Sequence, residues 1–273
     1  MDNKPIQIDI DKVVKSRVRN GKGLPGFIVR YLKRIIHQDE MNAFLKDNYM
    51  KRGIDFAEGC KGLFSADWEI HGEENIPSEG KFIFASNHPL GGLDGILLMT
   101  YLGRRYDNKL KVQVNDLLMN VEPLSPVFLP VNKYGRQNRE SVLETEEVLA
   151  SDNQLLVFPA GLCSRMTNGE IKDLEWKKWF ITTAVNTRRD IIPIYFDGKN
   201  SKFFYRFANL RKKLGIKFNV ELIYLPDEMF KARHKKFGIY FGKPIPWQTF
   251  DDSKKPKEWA QYVKERVYKL KTE

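Results

Sequence analysis

Apolar and polar positions change rhythm along this chain. From residue 81 onward, short apolar runs ("KFIFAS", "LKVQV", "PVFLPV", "QLLVFP" and "IIPIYF") are separated by longer segments of mixed polarity. Of those segments, "DGILLMTYLG", "RESVLETEEVLAS" and "DLEWKKWFITTAVNT" read as helices. Continuous short apolar runs suit strands buried on both faces, and helices between them make the crossovers of a parallel sheet. The fold class predicted is α/β, with a mostly parallel central sheet flanked by helices. Two later runs, "FNVELIYL" and "FGIYFG", predict strands that add an antiparallel portion, and "PKEWAQYVKERVYKLK" predicts a closing helix.

Before residue 70 the rhythm is helical instead. In "LPGFIVRYLKRIIHQDEMNAFLKDNYM", Phe27, Tyr31, Arg34 and Ile35 recur at helical spacing, and "IDFAEGCKGLF" continues in kind. The division predicted is an N-terminal helical segment over 1–65, a candidate membrane-surface contact, followed by an α/β domain over 66–273. A chain of 273 residues that is 42% hydrophobic can bury a sizeable core and is near the upper size of one domain.

Charge narrows the partners. With 46 Lys+Arg against 35 Asp+Glu the net charge is +11, which suits an acidic partner such as anionic lipid, nucleic acid or an acidic carrier protein. Zinc-finger spacing and RNP-like blocks are missing and the aromatics fall inside apolar runs, so nucleic acid is not the expected partner. Cys60 and Cys163 are far apart, outside any CxxC or Cys/His cluster, which fits a reducing compartment and no metal site. The charged N-terminus is no secretory signal, and no run has the ~20 apolar residues of a membrane span. The expected location is cytoplasmic, peripheral on the inner face of a membrane. Two segments suit that surface: "PGFIVRYLKRIIH", and "KFFYRFANLRKKLGIKF" with Phe203, Phe204, Tyr205 and Phe207 among arginines and lysines.

Chemistry concentrates at strand ends. His88, one of only 4 histidines, directly follows "KFIFASN", and Asp94 opens the next helix, with Gly91 and Gly92 letting the chain curl between them. Ligands of parallel sheets bind at the carboxyl ends of strands. There a histidine oriented by a carboxylate can take a proton from an alcohol, although a carboxylate in a first helical turn is also an ordinary cap. "LLVFPAGLCSR" and "IIPIYFDG" end two more strands in turns, which predicts one shared pocket.

In this order and spacing, "NHPLGGLDG", "FLPVNK", "VFPAGLCSR" and "IIPIYF" resemble four blocks of the glycerolipid acyltransferase superfamily, typified by 1-acylglycerol-3-phosphate acyltransferase. The resemblance implies that His88 is the general base and Asp94 its partner in moving an acyl group from a thioester of acyl carrier protein or coenzyme A to a lysolipid hydroxyl. It implies no metal or redox cofactor. Asn87, Lys133, Arg136, Pro159, Gly161 and Arg165 are its candidate substrate-binding residues, with backbone N–H groups around Gly161 as oxyanion donors.

Departures from the family pattern bear on the acceptor. The usual His-x4-Asp is here His-x5-Asp, similar to a branch that includes O-acyltransferases of ornithine- and glycine-lipid synthesis. Ala160 and Cys163 replace a glutamate and an arginine, and Lys133 replaces an arginine, at positions where the family binds the acceptor's phosphate. Arg136 and Arg165 are candidates to compensate. The leading acceptor is thus 1-acylglycerol-3-phosphate, and the alternative is a lyso-aminolipid, which needs fewer fixed cations. A hydrolase with Cys163 or Ser164 as nucleophile is a distant rival, because "GLCSR" is not a Gly-x-Ser-x-Gly elbow.

Overall fold

A computed structural model describes residues 6–17, 24–115, 118–131 and 139–272. Four helices come first: α1 (Ile10–Arg17), α2 (Gly26–Ile36), α3 (Gln38–Asp47) and α4 (Gly53–Phe64). The βα region follows as β1 (Asp67–His71), β2 (Phe82–Ser86), α5 (Leu93–Arg105), β3 (Leu110–Asn115), β4 (Phe128–Val131), α6 (Arg139–Ala150) and β5 (Gln154–Val157). A short antiparallel hairpin, β6 (Arg165–Thr167) with β7 (Glu170–Lys172), leads into α7 (Trp179–Thr187) and β8 (Asp190–Asp197). The chain closes with α8 (Lys202–Lys213), α9 (Leu225–Lys231), β9 (Lys236–Phe241) and α10 (Pro256–Lys269).

The main sheet runs β1-β9-β8-β2-β5-β3-β4. All of its neighbouring strands are parallel except β8 and β9. The expected α/β architecture is therefore present, including the antiparallel portion. β2 lies mid-sheet between β8 and β5, and all five of its residues are buried, as its unbroken apolar sequence requires. Its alternate side chains feed different cores. Phe82 and Phe84 pack with Leu93, Leu97 and Leu98 of α5 and with Ile54, Phe56 and Phe64 of α4. Ile83 and Ala85 pack with Phe180 and Ala184 of α7 and Val263 and Val267 of α10. Of the helices before β1, α3 and α4 thus contribute to the same core as the sheet.

Three local readings differ from the expectation. "FNVELIYL" is not a strand: Val220–Tyr224 is a 3₁₀ helix running into α9, whose first turn holds Pro226. Its alternation misleads because the buried member is Glu221, while Phe218 is 81% exposed. The helix read from Asp173 begins only at Trp179, since Asp173 and Trp176 are drawn into a buried hydrogen-bond cluster before it. β1 and the β6–β7 hairpin lack unbroken apolar runs and went unpredicted. Among the described residues, no helix is long and apolar enough to cross a membrane.

Candidate active site

Because β2 is central and ends at Ser86, His88 leaves the sheet at its carboxyl edge, where α5 begins. The turn between them brings His88 Nδ1 to 2.9 Å from Asp94 Oδ2. Gly91 makes that turn possible. Its φ is 77°, and a Cβ there would lie 2.8 Å from the Cβ of Cys163. Asp94 is fully buried, yet its carboxylate accepts hydrogen bonds from the N–H groups of Leu90, Gly92 and Gly95 at 2.9, 3.1 and 2.9 Å. It also sits in the first turn of α5, where the helix dipole favours negative charge.

Electrostatics fix the protonation pattern. Burial alone would raise the Asp94 pKa, but His88 and the N–H donors outweigh it and hold the carboxyl below its usual range. Burial likewise pulls the His88 pKa down, while the charge and hydrogen bond of Asp94, with a further contribution from Asp173, carry it above the usual histidine value. An ionised Asp94 requires Nδ1 to carry the proton, which leaves Nε2 as the acceptor once the ring is neutral. The side chain is 17% exposed. Its ring stacks on Phe158 at 4.2 Å between centroids and 30° between planes. Phe158 was not among the predicted site residues, although it stands in the strand-end run "VFPAG".

Other expected site residues take different roles. Asn87 is buried, and its amide exchanges two hydrogen bonds with the Phe196 backbone, at 3.0 and 2.7 Å, extending the β2–β8 ladder by one rung rather than facing a substrate. Pro159 is buried as well, its carbonyl accepting from Lys177 N–H at 3.0 Å. Gly161 N–H donates to the Phe158 carbonyl at 2.9 Å, closing the turn after β5, so that donor is not available to an oxyanion. Lys133 and Arg136 lie outside the described residues.

Arg165 is near the histidine turn, but its charge is spent internally. One guanidinium nitrogen reaches the Cys163 carbonyl at 2.7 Å and thiol at 2.9 Å, and the other reaches Glu221 Oε1 at 2.9 Å. Glu221 is fully buried and also pairs with Arg211 at 2.9 Å. The 3₁₀ segment carrying Glu221 was read as a strand, so this partner was invisible in sequence. Neither rival nucleophile is activated. Burial pushes the Cys163 thiol pKa up, and the Ser164 hydroxyl donates to Asp173 at 2.6 Å.

The four aromatics expected at a membrane divide. Phe204 and Tyr205 are buried in the core, at 0% and 1% exposure, because two consecutive positions of α8 face Cys163 and the β6–β7 hairpin; they cannot touch lipid. Phe203 is exposed and Phe207 half-buried, stacked on each other at 5.8 Å.

The chain is 53% identical over 270 residues to the lyso-glycine lipid O-acyltransferase of Bacteroides thetaiotaomicron, covering 98% of this chain and 99% of that protein. It is equally 53% identical to the lyso-glycine lipid O-acyltransferase of Phocaeicola vulgatus, covering 98% and 97%. Among solved structures it is similar to the 1-acyl-sn-glycerophosphate (LPA) acyltransferase PlsC from Thermotoga maritima, at 18% identity and a TM-score of 0.49, covering 95% of this chain and 86% of that one. The acyltransferase profile matches residues 13–273, and with it the chain belongs to the acyltransferase family.

Proposed function

We propose that this acyltransferase moves a fatty acyl group from a thioester of acyl carrier protein or coenzyme A onto the hydroxyl of a lyso-glycine lipid, at the inner face of a membrane. The observation that carries the chemistry is the His88–Asp94 contact: a buried, ionised carboxylate on Nδ1, with Nε2 as the remaining acceptor. Nε2 takes the proton of the acceptor hydroxyl as its oxygen bonds to the thioester carbonyl carbon. The tetrahedral oxyanion collapses, the C–S bond breaks, and the thiolate recovers the proton from the imidazolium that Asp94 stabilises. One ester forms and one thiol is released. No covalent acyl-enzyme is required.

Two observations favour a lyso-glycine lipid over lysophosphatidate as the acceptor. The curated relatives that match over nearly their whole length act on lyso-glycine lipid by name. Arg165, one of the cations that would have to hold a phosphate, is already ion-paired with the buried Glu221, which it shares with Arg211. A phosphate monoester carries close to two charges. A lyso-aminolipid headgroup needs fewer fixed cations.

For the membrane, support comes from a composite surface. Phe27 on α2 is 68% exposed, and Tyr31 of the same helix meets Tyr224 hydroxyl to hydroxyl at 2.8 Å. Tyr224 packs against Phe203 of α8 at 5.0 Å. Leu214 and Phe218, in the stretch after α8, are exposed as well, and so are Arg30, Arg206, Lys212, Lys213 and Lys217 on or near the same two helices in sequence. Exposed apolar side chains interspersed with exposed cations suit an interface rich in anionic lipid.

The test is purified enzyme with one acyl-thioester and the two acceptors in parallel. Turnover of lyso-glycine lipid with little of lysophosphatidate is expected. Efficient turnover of lysophosphatidate alone would overturn the acceptor assignment.

A further inference from the structure

His88 stands where the sheet can no longer hold it. The β2 ladder ends at Ser86, the Asn87 side chain supplies one further rung, and Pro89 next along has no N–H to offer. The His88 main chain must therefore find partners elsewhere. It finds them in a closed set. His88 C=O accepts from Ser164 N–H at 2.8 Å, His88 N–H donates to Asp173 Oδ1 at 3.2 Å, and Ser164 Oγ donates to the same Oδ1 at 2.6 Å.

Asp173 is itself tightly held. Its Oδ2 accepts from Trp176 Nε1 at 2.9 Å, its N–H donates to Tyr268 OH at 2.7 Å, and its C=O accepts from Lys264 Nζ at 2.8 Å. Trp176 is fully buried and Asp173 is 5% exposed. Asp173 thus joins three stretches of chain: its carboxylate ties the histidine turn to the Cys163–Arg165 turn, and its main chain ties both to α10.

From this geometry we infer that Asp173 is a positioning residue for acyl transfer: through the His88 main chain and Ser164 it sets where the imidazole stands, while Asp94 sets which way the ring faces. The inference rests on His88 being the base. Asp94 could orient the ring without Asp173, but the reach of Nε2 toward a substrate hydroxyl depends on the backbone from which the ring hangs. Misplacement by about 1 Å costs on the order of 10²-fold in rate.

A second effect accompanies the first. Asp173 is a negative group beside the imidazole and adds to the upward shift of His88. Burial in turn raises the Asp173 pKa, against hydrogen bonds from Ser164, Trp176 and His88. The other ionisable groups around the pair are Asp94 from α5, the Cys163 thiol, and Lys264 and Tyr268 from α10.

The experiment compares Asp173→Asn, Ser164→Ala and His88→Ala as purified full-length proteins, with thermal melts to establish folding. Asp173→Asn is expected to lose about 10–100-fold in kcat, the scale of a displaced catalytic group, with KM for both substrates little changed. Its acid limb in kcat/KM should move to lower pH, because the imidazolium loses a stabilising negative neighbour. Ser164→Ala, which keeps the charge but removes one tie, should lose a smaller factor of kcat with the acid limb unmoved. A purely structural Asp173 would lower the melting temperature and leave the pH profile in place. A folded Asp173→Asn with wild-type kcat and acid limb overturns the inference. Ser164→Ala with wild-type kcat overturns it too, and decides the matter if Asp173→Asn does not fold. His88→Ala separates the two levels: an active His88→Ala removes the base assignment itself, whereas an inactive one beside an unaltered Asp173→Asn removes only the positioning role.

Discussion

The turn between β2 and α5 and the outer face of α8 both drew attention in the sequence, yet they obey different rules. In the turn, the residues that matter are six positions apart, and the backbone between them has almost no freedom. Gly91 at positive φ and three N–H donors converging on one carboxylate leave Asp94 a single place to be. On α8, by contrast, aromatic composition suggested one surface, and the helical period split it. Phe203 is exposed while Phe204 and Tyr205 are sealed in the core. Spacing along a constrained turn determines geometry. Composition along a helix does not, because at 100° per residue four aromatics within five positions spread over more than one face.

The contrast can be broken by mutation. The largest effect belongs to the turn: His88→Ala should lose at least about 10²–10⁴-fold in turnover, the usual worth of a general base, while remaining folded by circular dichroism. Asp94→Asn should be nearly as damaging. The pH profile sharpens the point. Since His88 titrates above the usual histidine value, the acid limb of kcat/KM in the wild-type protein should lie above about pH 6.5. Activity should rise with pH as the imidazole deprotonates, and any residual activity of Asp94→Asn should have its acid limb at lower pH.

Next come the two faces of α8 and its neighbourhood. Phe204→Ala should destabilise the protein by about 3–5 kcal/mol in denaturant titration, the cost of emptying a packed aromatic site. Phe218→Ser should change stability by no more than about 0.5 kcal/mol. Liposome sedimentation should reverse the ranking. Phe27→Ser combined with Phe218→Ser should weaken binding to anionic vesicles, and salt should weaken wild-type binding, as charges are screened over about 10 Å at 0.1 M. Equal sedimentation of mutant and wild type would remove this face from the membrane account.

The smallest effects concern the acceptor's charge. Lys133→Ala and Arg136→Ala should each raise KM for lyso-glycine lipid by no more than about threefold, the scale of one exposed ion pair. A tenfold rise would mean that the headgroup is held by these cations after all.

Much of this molecule was legible before any coordinates. The strands β2, β4, β5 and β8 are almost continuous apolar runs and β3 alternates apolar with polar residues, and such patterns have few other uses in a chain of this size. β1, with the burial-poor sequence "DWEIH", and the hairpin after "GLCSR" were not legible, because an edge strand and a short ribbon need no apolar signature. The contact between His88 and Asp94 was readable from spacing. Its supports were not: Phe158, Asp173 and Glu221 reach their places through contacts across 56 to 85 positions of chain, or through a ring stack no local pattern encodes. Arg165 illustrates the limit best. Sequence noted a cation near the site, but only the fold supplies the buried carboxylate that pairs with it.

The central claim is that His88 drives acylation of a lyso-glycine lipid, and one measurement addresses both halves together: mass spectrometry of membrane lipids from cells lacking the gene, complemented with the wild-type protein or with His88→Ala. The account predicts accumulation of lyso-glycine lipid and loss of its acylated product, reversed by wild type and not by His88→Ala. Unchanged glycine lipids with accumulated lysophosphatidate, or full rescue by His88→Ala, would contradict it.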